Sequence, residues 1–275
     1  MSVADSVRSL VIRRPERAVP VILGALLLGY FLLPFVAFLS RTGGVAVVTG
    51  LSEPGAQAAV RNSLLTAPVS TVTATIFGVP LAYVLARRSF PGKRVVESLV
   101  VLPLVVPPVV GGAMLLTVVG RFTPIGAAAA AVGIPLTDSL LGVVLTQTFV
   151  AAPFVVITAR AGFTGIDDRL ERASRSLGYG PVATFRNVSL PLARGAIVAG
   201  VVLTFARAIG EFGATMMVAY NPRTMPTRIW VEFIGGGIDE IVPVSVALLA
   251  LSGRVLTAVQ RVGRVPPVVD RGSRS

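Results

Sequence analysis

The sequence predicts an all-α integral membrane protein with six transmembrane helices. Of its 275 residues, 53% are hydrophobic and only 14% are charged, whereas soluble domains carry about a quarter charged residues. Apolar runs recur along the chain at the length of about 20 residues that a helix needs to cross a bilayer. Basic residues cluster in alternate connections between these runs, as they do in multi-pass membrane proteins.

The six predicted spans lie between an N-terminal segment over 1–17 and a tail over 263–275. The spans are expected at Ala18–Leu39, Ser63–Ala86, Val95–Val119, Ser139–Ala159, Ala196–Tyr220 and Ile241–Val262. The first run is too long and too far from the N-terminus for a cleavable signal peptide. One transmembrane domain over 18–262 is therefore predicted, and the 13-residue tail suggests no appended regulatory domain.

Positive charge is distributed unequally between the two sides of the membrane. The N-terminal segment, the second and fourth connections, and the tail together with the end of the sixth span (Arg254 and Arg261) hold 19 of the 25 basic residues, whereas the other connections hold five. Because positively charged loops stay in the cytoplasm, both termini and the fourth connection are predicted to be cytoplasmic. A multi-pass protein of the cell membrane is expected, and an even number of spans agrees with this orientation.

Composition disfavours several classes of function. The net charge is +12, but aromatic and basic residues do not alternate as in proteins that stack bases, so no nucleic-acid partner is expected. The chain has no Cys and no His, so it lacks thiolate and imidazole ligands for a metal and the usual general base. With no obvious pair of intramembrane carboxylates, an intramembrane enzyme is disfavoured, and neither a metal site nor a cofactor is expected in this chain.

Prolines interrupt several of the predicted spans. Pro103, Pro107 and Pro108 lie in the third span. The second span contains Pro68 and Pro80, the fourth Pro153 and the sixth Pro243. Proline kinks a helix because it frees a backbone carbonyl, and lipid tolerates this only where protein or water satisfies that group. Two interpretations stay open: tight packing of bent helices, or bent helices around a cavity that opens and closes.

The fourth connection contains a short amphipathic helix. Asp167 and Asp168 suit the positive end of a helix dipole, and Gly178 and Gly180 provide the stop signal. A face of small and apolar residues follows helical spacing at Leu170, Ala173, Ser174 and Leu177, with Glu171 expected among the charged residues around it. Such a helix either lies flat on lipid headgroups or docks into a groove of another protein, and its small residues favour docking.

This connection resembles the EAA cytoplasmic loop of ABC-transporter permeases, in which a glutamate–alanine–alanine start precedes a glycine and a later Leu-Pro. The matching positions are Ala173, Ser174, Gly178, Leu190 and Pro191. Ser174 stands in place of the second alanine, and the glutamate lies one residue early, at Glu171, with Arg172 directly before Ala173.

The resemblance extends over about 61–228. The stretches "LVVLPLVVPPVVGGAMLL" and "FARAIGEFGATMMVAYNP" are similar to spans of permeases that import oxyanions, and "AYNPRTMPTRIW" looks closest to the tungstate/molybdate branch. The resemblance implies the type I ABC importer permease fold, with a cytoplasmic coupling helix in a loop at about 163–194.

The resemblance also implies partners. A second copy would complete a homodimeric pore, two ATPase subunits would bind ATP and Mg, and an external binding protein would deliver molybdate or tungstate. The chain has no GxxxxGK[ST] phosphate loop, so a partner must supply the energy, and the chain itself is not expected to be an enzyme. The residues expected to couple to the ATPase are Leu170, Glu171, Ala173, Ser174, Leu177, Gly178, Leu190 and Pro191.

Arg207 and Glu211 are charged residues four positions apart in the predicted fifth span. Charges within a membrane are costly and usually face protein or water. They form either an internal ion pair that fixes helix packing or a pathway element in which Arg207 attracts the anion. Further candidates for the pathway are Thr204, Thr215 and Gln147.

Two alternatives to molybdate or tungstate import by ATP hydrolysis stay open. The oxyanion could be sulfate or thiosulfate, because these dianions differ mainly in size. A secondary transporter driven by an ion gradient is less favoured, because such proteins often show inverted repeats and protonatable midplane groups. The sequence shows no clear repeat, and Glu211 is its one clear midplane acid.

Overall fold

The computed structural model describes residues 15–41 and 43–262, and the regular secondary structure of these residues is helical throughout. In chain order the α-helices are α1 Pro15–Ser40, α2 Gly44–Ser52, α3 Pro54–Arg87, α4 Lys93–Val105, α5 Pro108–Val119, α6 Pro124–Ala131, α7 Leu140–Thr164, α8 Asp168–Ser176, α9 Pro181–Thr184, α10 Leu190–Ile209, α11 Gly213–Val218, α12 Met225–Gly236 and α13 Ile238–Val262. A π-helical segment, Phe185–Ser189, joins α9 to α10. Most of the predicted segment 1–17 and the predicted tail 263–275 lie outside the described residues.

Helices α3, α7 and α10 pack against one another and form the centre of the fold. Their contacts are made by small residues, among them the fully buried Ala82 of α3 and Ala159 of α7. At Gly200 of α10 a Cβ atom would lie 3.0 Å from the Cα atom of Val155. Small residues therefore set the close approach of these helices, as is usual in membranes.

The predicted third span is divided into two helices. Helix α4 ends at Val105 and α5 begins at Pro108, because the two consecutive prolines lack the N–H groups that an uninterrupted helix would use. Helix α5 is followed by α6 at an angle of 65°. The expectation of one helix over Val95–Val119 is thus wrong, although the two parts of this segment, α4 and α5, are both helical.

The predicted fifth span also differs from the structure. Its helix begins earlier and stops at Ile209, and the chain resumes as the short helix α11 only at Gly213. Phe212, with φ −125° and ψ −60°, lies outside the helical region. The expectation of one continuous helix over Ala196–Tyr220 is therefore wrong.

Within the described residues, four helical stretches are long and apolar enough to cross a membrane: Val19–Ser40, Pro54–Arg87, Leu140–Thr164 and Pro181–Ile209. The bent pair α5–α6 makes a fifth if the two helices act as one span. The predicted sixth span corresponds to the 25-residue helix α13. Helix α1 is unusual in that none of its most apolar window is buried within the chain.

Candidate functional site

The predicted amphipathic helix of the fourth connection is present as α8. The Asp167 carboxylate caps its N-terminus by accepting a hydrogen bond of 2.8 Å from the Arg169 N–H group. The helix ends at Ser176, and Gly178 follows with φ +88°, a left-handed conformation that favours glycine. The start and stop signals in the sequence are therefore confirmed.

The apolar face predicted for α8 is divided by the structure. Leu170 and Leu177 are 48% and 79% exposed, and Ala173 is exposed beside them. Ser174 is instead buried, with its hydroxyl 3.1 Å from that of Thr184. Because consecutive helical residues are about 100° apart, Ser174 lies at the edge of the predicted apolar face, on the side of α8 that packs against the rest of the protein. The expectation that all four residues form one accessible face is wrong for Ser174.

Glu171 is buried, contrary to its predicted place among the exposed charges of α8. Its Oε1 atom accepts hydrogen bonds from the Arg87 Nε–H group at 2.9 Å and from the Ser189 hydroxyl at 2.8 Å. Its Oε2 atom accepts a longer bond of 3.4 Å from the Tyr83 hydroxyl. A buried carboxylate needs such partners, and Glu171 obtains them from α3 and from the π-helical segment.

Arg87, the last residue of α3, holds the N-terminal half of α8. Besides the bond to Glu171, its Nη1 atom lies 2.6 Å from the Asp168 carboxylate and its Nη2 atom donates to the Ile166 carbonyl at 3.0 Å. The planar guanidinium presents several donors in fixed directions, and here it uses three. In the sequence, Arg87 is recognisable only as one of the basic residues of the second connection, because its partners lie 79 to 84 residues away.

Three aromatic rings pack beneath this ion pair. Tyr83 lies 5.3 Å from Phe163 and 4.8 Å from Phe185 between ring centroids, and Phe163 is fully buried. Centroid distances in this range are favourable for aromatic pairs. The cluster joins the ends of α3 and α7 to the π-helical segment, so the Arg87–Glu171 pair rests on a packed apolar base.

Leu190 and Pro191 lie where the chain enters α10, as predicted. Leu190 packs against the core cluster that contains Phe163, and Pro191 is the second residue of α10, directly after the π-helical segment. Both residues belong to the base of the loop, at a distance in sequence from the exposed end of α8.

Arg207 and Glu211 form an ion pair, although Glu211 lies beyond the end of α10 and not on a shared helix. The Glu211 side chain is 1% exposed, and its Oε1 atom accepts a hydrogen bond of 2.8 Å from the Ala214 N–H group at the start of α11. Glu211 therefore connects the two pieces of the broken helix. This geometry favours the internal ion pair over the pathway element.

Gln147, Thr204 and Thr215 are buried in the interior. The Gln147 Oε1 atom accepts a hydrogen bond of 2.9 Å from the Ser70 hydroxyl. The Gln147 Nε2 atom and the hydroxyls of Thr204 and Thr215 have no hydrogen-bond partner among the described residues. No hydrogen bond or ion pair in that part of the chain joins these three residues to the Arg207–Glu211 pair.

A cavity of about 340 Å³ lies at the opposite end of α3 from Arg87. Its lining includes four carboxylates, those of Glu53, Glu232, Asp239 and Glu240, together with Arg41. Burial raises the pKa of Glu232 above its ordinary value, although the neighbouring Arg228 opposes this shift. An oxyanion would meet mostly negative charge here, so this cavity is a poor site for anion binding.

Comparison with known proteins agrees with this architecture. Residues 78–262 match the family described as binding-protein-dependent transport system inner membrane component. The chain aligns over 92% of its length with a chain of a bacterial alginate ABC transporter crystallised with an alginate-bound periplasmic protein. The TM-score is 0.72 at 15% identity, and the alignment covers 96% of that chain, which supports a shared fold.

Curated relatives come from several organisms. A probable molybdenum ABC transporter permease protein of Haloferax volcanii is 47% identical over 91% of each chain. A molybdate/tungstate transport system permease protein of Thermococcus kodakarensis is 40% identical over 84% of this chain and 89% of its own. A probable sulfate transport system permease protein of Chlorokybus atmophyticus is 36% identical over 81% and 82%.

Such relatives, together with several apolar helices long enough to cross a bilayer, indicate a multi-pass protein of the inner membrane. With the family model matching most of the chain and the helices packed as in an ABC transporter, this protein belongs to the binding-protein-dependent transport system inner membrane components, among relatives that are molybdate/tungstate ABC permeases.

Proposed function

We propose that this chain is the permease subunit of an ATP-driven importer for a tetrahedral oxyanion, with molybdate or tungstate as the substrate. The observation that carries the proposal is α8, a short helix with exposed apolar side chains on one side and a buried anchor on the other. Relatives named for molybdenum and for molybdate/tungstate transport support the choice of anion.

The exposed side of α8 suits the docking of an ATPase subunit. Leu170, Ala173 and Leu177 are accessible there, and Tyr179 and Val182 extend the apolar surface beyond the helix end with exposures of 50% and 79%. Apolar side chains at helical spacing are the usual anchors of a helix that lies in a groove. Under this proposal the ATPase pair binds ATP and Mg, and the permease is not itself an enzyme.

Two further partners belong to the proposal. A second copy of the chain completes the translocation pathway as a homodimer, and the unburied apolar surface of α1 is covered by lipid or by that copy. An external binding protein delivers the anion. The proposal includes six membrane spans, supported by the apolar runs, and cytoplasmic termini, supported by the distribution of basic residues among the loops.

Sulfate or thiosulfate is the second candidate substrate, because a sulfate transport permease is among the relatives. The buried hydroxyl and amide groups of Thr204, Thr215 and Gln147 are neutral groups that would suit any of these dianions if they line the pathway. A carrier driven by an ion gradient is disfavoured, since the one clear midplane acid, Glu211, is already paired with Arg207.

Uptake by membrane vesicles tests the proposal. The full chain is co-expressed with an ATPase subunit and an external binding protein of a molybdate/tungstate transport system, and radiolabelled molybdate is supplied with or without ATP. We expect uptake only with ATP, competition by tungstate, and weaker competition by sulfate. Uptake that persists after ATP depletion while an ion gradient is intact would contradict the proposal, and stronger competition by sulfate would reassign the substrate.

A further inference from the structure

The attachment of α8 to the rest of the molecule depends on side chains. Along the chain, α8 is separated from α7 by the short link over 165–167, and from α9 by a link that contains Gly178 and Gly180. Glycine has the greatest backbone freedom of the residues. The covalent connections alone therefore do not fix how α8 is oriented relative to the membrane helices.

The side chain of Glu171 meets three elements at one point. It belongs to α8, it is paired with Arg87 at the end of α3, and it accepts a hydrogen bond from Ser189, one residue before α10 begins. The exposed fractions of the Arg87 and Glu171 side chains are 11% and 6%, so solvent screens this pair only weakly.

Other contacts of α8 do not provide the same link. The Ser174–Thr184 contact ties α8 to α9, and the ion pair between Arg175 and Glu171 lies within α8 itself at 3.7 Å. Among the described residues of α3, Arg87 makes three polar contacts to α8 and the link before it, whereas Tyr83 makes a single bond of 3.4 Å.

We infer that Arg87, through Glu171, is the positioning residue that makes α8 move together with the ends of α3 and α10. The inference rests on the proposed function, because the movement to be transmitted is that of the ATPase subunits. When α8 shifts, the contacts of the Arg87 guanidinium move the end of α3 with it. The hydrogen bond from Ser189 to Glu171 moves the π-helical segment that leads into α10. π-Helical turns within helices are frequently found at functional sites.

Two measurements on Arg87→Gln test the inference, with Arg88→Gln as the matched control. Arg88 is the next residue, it is exposed, and its replacement removes the same charge. In the purified full chain, we expect hydrogen exchange of the amides in α8 to become about tenfold faster in Arg87→Gln and to stay unchanged in Arg88→Gln. In the complex with the ATPase, we expect molybdate uptake per ATP hydrolysed to fall about tenfold while the ATPase still co-purifies.

Each outcome decides the matter. Unchanged exchange in Arg87→Gln overturns the inference, and so does faster exchange with normal uptake per ATP, because the pair would then be structural only. Loss of the ATPase from the variant complex also overturns it, since Arg87 would act in docking. Failure of the unaltered chain to bind an ATPase would instead overturn the proposed function. If Arg87→Gln does not accumulate in membranes, Arg87→Lys keeps the charge but not the fork and is tested in the same way, with the same expected results.

Discussion

Ala173 and Ser174 are sequence neighbours on α8 with opposite surroundings. Ala173 is exposed, whereas Ser174 is 6% exposed and contacts Thr184. A rotation of about 100° per helical residue is enough to place one on the accessible side and the other against the fold. Because Ser174 is buried, a bulky residue there would displace α8 and would not test docking. Ala173 is the position at which docking can be tested alone.

We expect Ala173→Trp to weaken binding of the ATPase subunit without affecting membrane insertion. The indole would lie on the accessible side of α8, near Leu170 and Leu177. Its bulk would prevent the helix from seating in a groove of the ATPase subunit. Arg172→Trp is the control for a bulky residue on the same helix, since Arg172 is exposed and lies about 100° around the helix from Ala173, away from Leu170 and Leu177. Co-purification of the ATPase should fall about tenfold for Ala173→Trp only, which corresponds to the loss of about 1.4 kcal/mol of binding free energy. Equal retention in both variants would count against the docking surface.

At the scale of helices, the local character of a signal decides whether sequence analysis can predict a feature. The apolar runs of α1, α3, α7 and α13 can be predicted because hydropathy is a property of neighbouring residues. The break after Ile209 cannot be predicted in this way, because the contact that bridges it, a hydrogen bond from the Ala214 N–H group to the Glu211 side chain, forms only in the folded chain. The Arg87–Glu171 pair was missed for the same kind of reason: 84 residues separate its members, and nothing local to either one indicates the other.

The close approach of α7 and α10 gives a prediction about stability. At Gly200 a Cβ atom would meet the backbone at Val155 Cα, 3.0 Å away, and the Thr158 hydroxyl even closer. Backbone atoms cannot move aside as easily as the end of a flexible side chain. We therefore expect Gly200→Ala to lower the free energy of unfolding by about 1–3 kcal/mol. Gly195→Ala, on the same helix with nothing within 4 Å, should be neutral or slightly stabilising. Thermal unfolding in detergent compares the two, and equal midpoints would contradict this packing.

The Arg207–Glu211 pair gives a second prediction at this scale. Glu211→Gln keeps an oxygen for the Ala214 N–H group but leaves Arg207 without its counter-ion. We expect Arg207→Gln to be less stable than the double variant, because it leaves the Glu211 carboxylate, 1% exposed, without its partner. We expect a smaller loss for Glu211→Gln, because the Arg207 side chain is 27% exposed. The double variant should also retain molybdate uptake. A stable double variant without uptake would assign Arg207 to the anion pathway.

At the scale of the whole molecule, the two ends of the bundle differ in charge and in structure. One end carries α8 with its apolar exposed side chains and surrounding arginines, and the other carries the cavity lined by four carboxylates. Helix α3 connects them, since Glu53 precedes its first residue and Arg87 is its last. The two ends therefore offer different surfaces to any partner: exposed apolar side chains at the α8 end, and mostly acidic side chains at the cavity end.

The orientation of the ends can be measured because the chain contains no cysteine. Ser176→Cys places a single thiol on the exposed side of α8, and Phe122→Cys places one in the connection between α5 and α6, where Phe122 is 93% exposed. If basic connections are cytoplasmic, a maleimide that cannot cross membranes should label Phe122→Cys in intact cells and Ser176→Cys only in inside-out vesicles. Each variant serves as the control for the other, since the unaltered chain has no thiol to react. Labelling of both from the same side would contradict the six-span arrangement, and exchanged sides would place α8 outside, where no ATPase could reach it.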